Sequence, residues 1–247
     1  MERAEYERLA ALDRRLWWFH GMHAQMLGAL SRRRPPGKGE PLLDAGCGTG
    51  GLLASVAARF PEASAMGVEI DAIAGAVAQE QSARPVCIAS VNALPFADAR
   101  FAAVLSSDVL CHRGVAEEEA LRQMHRCLAS GGVLVLNLPA YRWLLSEHDA
   151  AVHNVRRYTA AGVRSLLAAA GFTSIRTSYW NTVLFPLMVL RRKLGWQGDR
   201  APASDVSLLP APVEATFRLV VRIEAALLGL GLRLPFGGSV LATAVKP

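Results

Sequence analysis

Tyr6, Leu9, Leu12, Leu16 and Phe19, then Met22, Met26, Leu27 and Leu30, recur every three or four positions. That is the period of a helix burying one face, and it predicts one or two amphipathic helices over residues 2–31. Pro35, Pro36, Gly37 and Gly39 break the pattern, so residues 32–41 read as a linker. Beyond it, short apolar runs alternate with amphipathic stretches. Buried strands are predicted at 41–45, 65–70, 86–89, 102–107 and 133–138. Helices are predicted at 51–59, 72–81 and 117–128, the last stopping near Ser130-Gly131-Gly132. Thr159 is placed to cap a helix over 160–170 that Gly171 ends. A sixth strand is expected at 174–179 and the last at 239–245. Alternating strands and helices argue for a parallel sheet with helices on both faces. The expected fold class is α/β: one Rossmann-like, doubly wound domain with a seven-stranded sheet. It divides into an N-terminal helical lid (1–31), a core (40–180), a helical insertion (181–236) and the last strand (237–247).

Just over half of the 247 residues are hydrophobic, enough for one large α/β core. The net charge of +6 would suit nucleic acid or an anionic membrane. The basic residues are scattered, however, apart from Arg32-Arg33-Arg34 and Arg191-Arg192-Lys193, and no aromatic-interleaved basic stripe appears. A solvated surface is the simpler reading, and no nucleic-acid partner is expected. Cys47, Cys87, Cys111 and Cys127 lie far apart without a CxxC pair, which implies neither a disulfide framework nor a zinc site and fits a reducing cytoplasm. The N-terminus has no apolar signal segment. The longest apolar run, 183–190, is broken by Pro186 and falls short of the roughly 20 residues of a membrane span. No metal is expected, because no histidine–carboxylate cluster has ligand spacing.

Gly46, Gly48 and Gly50 stand between a predicted buried strand and a helix. Glycine permits positive φ and lets the backbone approach a ligand at a helix N-terminus. Dinucleotide-binding domains use a similar turn, so the loop alone is weak evidence. Asp44 ends the preceding strand, where its carboxylate can face a cationic group. Glu69 ends the second strand, positioned to accept from ribose hydroxyls.

Together these residues resemble the class I S-adenosylmethionine-dependent methyltransferases. Leu42-Leu43-Asp44-Ala45-Gly46-Cys47-Gly48-Thr49-Gly50 looks like their first motif, and Gly67-Val68-Glu69-Ile70-Asp71 like their second. The stretch from Ala93-Leu94-Pro95-Phe96 to Asp98 and Phe101 is similar to a segment of the branch acting on small molecules such as quinones, sugars and sterols. Ser106-Ser107-Asp108 and Leu128-Ala129-Ser130-Gly131-Gly132 follow in order. The resemblance implies S-adenosylmethionine as cofactor, held by Asp44, Gly46, Cys47, Gly48, Gly50, Glu69, Ile70, Asn92, Ala93, Leu94, Ser107 and Asp108. Two departures bear on the adenine contacts. Ala89-Ser90-Val91-Asn92 lacks the family's frequent acid, leaving Ser90, Asn92 or a carbonyl to serve, and Phe101-Ala102 replaces the usual Phe-Asp.

The expected activity is methyl transfer to a small, apolar acceptor through oxygen, nitrogen or carbon. Methyl transfer needs alignment and, for a hydroxyl or amine, a base. Asp108 and His112 lie beyond strand four, and His148, Asp149 and His153 beyond strand five, all on the ligand-binding edge of such a sheet. His153, His148 and Asp149 are the catalytic candidates. The alternative is that His153, Arg157 and Tyr158 only tie their loop to the domain. Trp17, Trp18 and Phe19 cannot all face one core, so at least one should touch cofactor, substrate or a partner, unless all three simply pack. With Phe185 and Phe217 of the insertion, and with His112 and Tyr158, they are expected to bind the acceptor under an apolar roof. Glu214, Arg218 and Arg222 would form the wet face of the second insertion helix. Packing on the domain, on the second subunit of a homodimer or on a membrane surface are the other uses of those helices. Two other functions remain open. One is a cofactor-retaining enzyme of different chemistry, such as methylation-triggered cyclisation. The other is a nicotinamide-dependent oxidoreductase, disfavoured because the loop departs from G-x-G-x-x-G spacing and no normal NAD-binding half follows.

Overall fold

The computed structural model describes residues 3–13, 15–193 and 209–247. In chain order the elements are α1 (Arg3–Asp13), α2 (Trp17–Arg33), β1 (Pro41–Ala45), α3 (Gly51–Arg59), β2 (Ser64–Glu69), α4 (Ala72–Ser82), β3 (Val86–Ile88), β4 (Phe101–Ser107), α5 (Glu117–Cys127) and β5 (Leu128–Pro139). A 3-10 turn (Arg142–Leu144), α6 (Glu147–Ala151), α7 (Ala160–Ala169), β6 (Thr173–Trp180), α8 (Phe185–Lys193), α9 (Ala211–Gly229) and β7 (Ser239–Val245) complete it.

The seven strands form one sheet in the order β3-β2-β1-β4-β5-β7-β6. Its central strands are apolar almost throughout because both faces are covered, and successive residues point to opposite faces. Thus Leu134, Leu136 and Leu138 join one core with α5 and α7. Val133 and Val135 join the other with α2, α3 and, outside α2, residues of α9. Expected and observed elements agree to within a few residues at most ends, and Thr159 caps α7 by accepting from the Gly162 amide at 3.1 Å. Two features differ. β7 runs antiparallel to both β5 and β6, where alternation had suggested a parallel sheet. Strand β5 begins at Leu128, so the Gly131-Gly132 stop falls inside the strand. There the pairing with β4 shifts register and Gly131 adopts φ +73°.

The N-terminal segment is only partly a lid. Helix α2 is a layer of the sandwich, and α9 packs along it. At their crossing, a Cβ on Gly21 would stand 3.0 Å from Val221, so the small residue permits the approach. Glu214 corrects the expected wet face: it is buried and accepts from the Trp17 amide at the start of α2, a helix end with no side-chain cap of its own. Glu224, also buried on α9, accepts from the amides of Asn181 at 2.6 Å and Val183 at 2.7 Å. By contrast α1 lies against α4, with Tyr6 donating to Asp71 at 2.9 Å and Arg3 reaching Glu80.

Candidate active site

The glycine loop follows β1 at the carboxyl edge of the sheet. The amides of Gly46 and Cys47 both donate to the Val68 carbonyl, at 2.9 and 2.8 Å, which turns the chain away from the strand. Gly46 (φ +82°) and Gly50 (φ +88°) have no room for a side chain: a Cβ would meet Val109 at 2.4 Å and the Ala78 backbone at 2.7 Å. Gly48 (φ +54°) faces open space instead. The Cys47 thiol is packed beneath, against Gly67, and burial pushes its pKa up.

Asp44 is 2 % exposed, and its Oδ2 has no hydrogen-bond partner among the described residues. Its pKa is pushed up to about 8, first by burial and then by the charges of Glu69 and Asp13, with only a backbone contact at Leu53 opposing. Asp13, at the end of α1, reaches the first turn of α3: a Cβ on Gly51 would lie 2.0 Å from its Oδ2. Glu69 is oriented by amides, accepting from Gly48 at 2.9 Å, Ile70 at 2.9 Å and Asp71 at 3.0 Å. Three carboxylates therefore share the loop's surroundings. The Ile70 side chain beside them is 70 % exposed, a large apolar surface left facing out. Asn92 is engaged in holding the chain after β4, donating to the Gly114 carbonyl at 2.9 Å and accepting from the Ala116 amide at 3.0 Å. Next to it Ala93 is exposed and Leu94 buried.

At the end of β4, Asp108 adopts φ +52°, and the Asn137 amide group of β5 donates to both its carboxylate oxygens at 3.1 Å. Asn137 in turn accepts from the buried Trp180 indole N–H at 2.7 Å. Burial pushes the Asp108 pKa up to about 7, opposed by the Asn137 and Ser107 hydrogen bonds and the charge of Arg157. The Ser107 hydroxyl is itself 2.7 Å from the Met22 sulfur. His112 is half-buried, near Glu69 and His153, and its pKa is lowered chiefly by burial.

The strap after β5 is different. Asp149 is 1 % exposed, and its carboxylate takes Arg157 at 2.7–3.0 Å together with the Ser146 amide and hydroxyl at 2.9 and 3.0 Å. These contacts tie the strap together through a carboxylate expected among the catalytic candidates. The Tyr158 hydroxyl lies 2.9 Å from the Leu110 carbonyl and 2.6 Å from Glu117, another tie between the strap and the domain. His153 is exposed at φ +59°, with its backbone bonded to Ala150 and Arg113. His148 lies in α6, but its side chain is outside the described residues, as are those of 191–193.

The single aromatic roof does not form. Trp17 meets Phe217 edge-on at 5.3 Å, Trp18 lies 6.1 Å from Trp180 and 5.0 Å from Phe19, and all three N-terminal aromatics pack on the α2 core. Because α9 supplies a second apolar wall, all of them can be partly buried at once. Phe185 belongs elsewhere, with Tyr141 at 5.6 Å, Trp143 at 6.2 Å and Phe236 at 5.8 Å, on the same sheet edge as Asp108. Sequence reading missed Asn137, Trp180 and Asp13. The first two lay in apolar strand runs, where a lone polar or indole group was the available signal.

Among the described residues, no group of three or more His, Cys, Asp or Glu side chains could hold a metal ion. None of the described helices is long and apolar enough to cross a membrane. Counting Gly51, the spacing of Gly46, Gly48 and Gly51 does match G-x-G-x-x-G. What separates this sheet from the dinucleotide-binding order 3-2-1-4-5-6 is therefore the antiparallel β7 inserted between β5 and β6.

A family model described as a methyltransferase domain matches residues 43–136. Malonyl-[acyl-carrier protein] O-methyltransferase of Dechloromonas aromatica (strain RCB) is 32% identical over 144 residues, covering 54% of this chain and 52% of that protein. The chain thus spans about half the length of that curated relative. Phosphoethanolamine N-methyltransferase 2 of Haemonchus contortus, solved with S-adenosyl-L-methionine, superposes with a TM-score of 0.59 at 18% identity, over 90% of this chain and 52% of that one. Geranyl diphosphate C-methyltransferase of Streptomyces coelicolor A3(2) gives 0.60 at 16% identity, over 93% and 80%. Residues 43–136 therefore match a methyltransferase domain, and the chain has the fold of the class I S-adenosylmethionine-dependent methyltransferases.

Proposed function

We propose that this chain transfers a methyl group from S-adenosylmethionine to a small, apolar acceptor. The observation that carries the reading is the orphaned Asp44 oxygen, buried beside the glycine loop within the field of Glu69 and Asp13. A buried, poorly compensated carboxylate is costly and calls for a cation. The cofactor carries two, a sulfonium and an ammonium. Asp44 would face that cationic end, the open Gly48 backbone would admit close approach, Glu69 would take ribose hydroxyls, and Ile70 would cover apolar ring surface. The structural relatives solved with S-adenosyl-L-methionine or S-adenosyl-L-homocysteine support this choice.

When bound, the cofactor supplies an activated methyl group. The protein supplies alignment and proton management. Asp108 is the group we assign to proton acceptance from a hydroxyl or amine acceptor. It lies at the carboxyl edge, is oriented through both oxygens by Asn137, and titrates near neutrality, as a general base should. His112 and His153 stand next along that edge. The aromatic group of Tyr141, Trp143, Phe185 and Phe236 offers apolar surface for the acceptor. The small-molecule acceptors named for the structural relatives support a small acceptor, and the geranyl chain of one of them an apolar one. All four cysteines are free, which fits a reducing cytoplasm.

Incubation of the protein with methyl-labelled cofactor and fractionated bacterial extract tests the acceptor class. Label should enter organic-soluble small molecules. Label confined to nucleic acid or protein would overturn that class.

A further inference from the structure

Among the described residues nothing covers the outer face of α9, which is apolar. Leu219, Ile223, Ala226 and Leu230 follow at intervals of four, three and four, one stripe of a helix. Leu219 is 58 %, Ile223 53 % and Leu230 81 % exposed. Inward positions of the same helix, Val221, Glu224 and Leu228, are buried, so the helix already spends its other face on the domain. The stripe ends at Leu232, 52 % exposed, which lines a groove of about 150 Å³.

That groove is rimmed by Arg32, Arg33, Arg176 and Arg233, drawn from the end of α2, strand β6 and the turn after α9. Thr177 and Thr243 contribute hydroxyls, and Leu228 and Leu241 an apolar floor. Arg33 donates to Thr243 at 3.0 Å and to the Ser174 carbonyl, and the described ion pairs give none of the four arginines a carboxylate. Gathering guanidinium groups around a partly apolar hollow is unfavourable unless an anion meets them.

We propose that the outer face of α9 and the arginine groove at its end dock the protein on an anionic lipid bilayer. The groove would take phosphate headgroups and the stripe would enter the acyl boundary. Charge complementarity selects this occupant. An apolar stripe flanked by arginines matches a surface that is negative at the headgroups and apolar just below, the pattern of interfacial amphipathic helices. The proposal stands independently of the cofactor assignment.

Co-sedimentation of the full chain with vesicles tests it. The wild-type protein should sediment with phosphatidylglycerol-containing vesicles, less as salt is raised, and weakly with phosphatidylcholine alone. Arg176→Gln with Arg233→Gln should weaken partitioning roughly thirtyfold, at about fivefold per arginine. Leu219→Glu with Ile223→Glu should abolish it. Circular dichroism melts at wild-type temperature would show that these exposed positions leave the fold intact. Equal binding to both vesicle types, or none to either, would overturn the proposal. So would a wild-type dimer that the Leu219→Glu, Ile223→Glu protein turns to monomer, because that face would then belong to a second copy.

Discussion

Asp44 and Asp149 are buried to the same degree, 2 % and 1 % exposed, one on strand β1 and the other in the strap after β5, and their surroundings differ in kind. Asp149 lies in a well-bonded knot, with Arg157 in a two-oxygen ion pair and the Ser146 amide and hydroxyl donating to the same carboxylate. Asp44 has other carboxylates acting on it and, among the described residues, one oxygen without a partner. Burial alone therefore does not mark a ligand site. What marks Asp44 is a buried carboxylate oxygen left without a partner among the described residues, beside the glycine loop and in the field of further carboxylates. Asp108 stands between the two, hydrogen-bonded by Asn137 yet held near neutrality.

The comparison breaks most readily at Asp149. Asp149→Ala leaves the Arg157 guanidinium buried without its counter-charge, which costs about 3–5 kcal/mol. A drop in melting temperature of roughly 10 °C is expected for a chain of this size, with loss of order in the strap before α7. Little change would mean that the ion pair contributes no net stability. Asp108 sharpens the contrast in function. Asp108→Asn should lower turnover of a hydroxyl or amine acceptor by about 10²–10⁴-fold, while His153→Ala retains most of it. Wild-type kcat/KM should rise with pH through about 7 as the Asp108 carboxyl ionises. The reverse ranking of the two variants would move the base to His153.

The third effect is of opposite sign to the first. The folded Asp44 holds its proton up to about pH 8, whereas the unfolded chain releases it near the ordinary carboxylate value. Over that window the folded state binds more protons. Its stability therefore falls as pH rises from about 4 to about 8. Asp44→Asn removes the titration and should raise the melting temperature of the ligand-free protein at pH 8, and by much less at pH 5. A variant melting below wild type at both pH values would show that the carboxylate is compensated after all.

Those contrasts also show what could be read in advance. β1 and β7 were placed to the residue because strands buried on both faces give continuous apolar runs with sharp ends. The glycine loop was legible because Gly46 and Gly50 have steric reasons that no other residue meets. The direction of β7 was not legible, since a strand's own sequence does not record which way its neighbours run. Glu214 looked like a wet-face residue because its partner, the bare start of α2, lies 197 positions away in the chain. Phe185 and Phe217 have similar sequence settings, yet they join separate aromatic groups, because α8 and α9 leave the sheet at different places. Tyr158 and Asp149 illustrate the same limit: a polar residue on a loop reads alike whether it meets substrate or ties the loop down.

Titration of the ligand-free protein with S-adenosylmethionine by calorimetry, from pH 6 to 9, tests the account at its centre. A cation at Asp44 favours the ionised carboxylate, so binding must expel the proton that Asp44 holds below about pH 8. Wild-type affinity relative to Asp44→Asn should therefore grow as pH rises through that range. Because the variant shares the cofactor's own titration, the ratio isolates Asp44. At pH 8 the variant should bind roughly tenfold more weakly or worse, the loss of one charge-assisted hydrogen bond. No binding by the wild-type protein, or a ratio of one at every pH, would contradict the assignment of this loop.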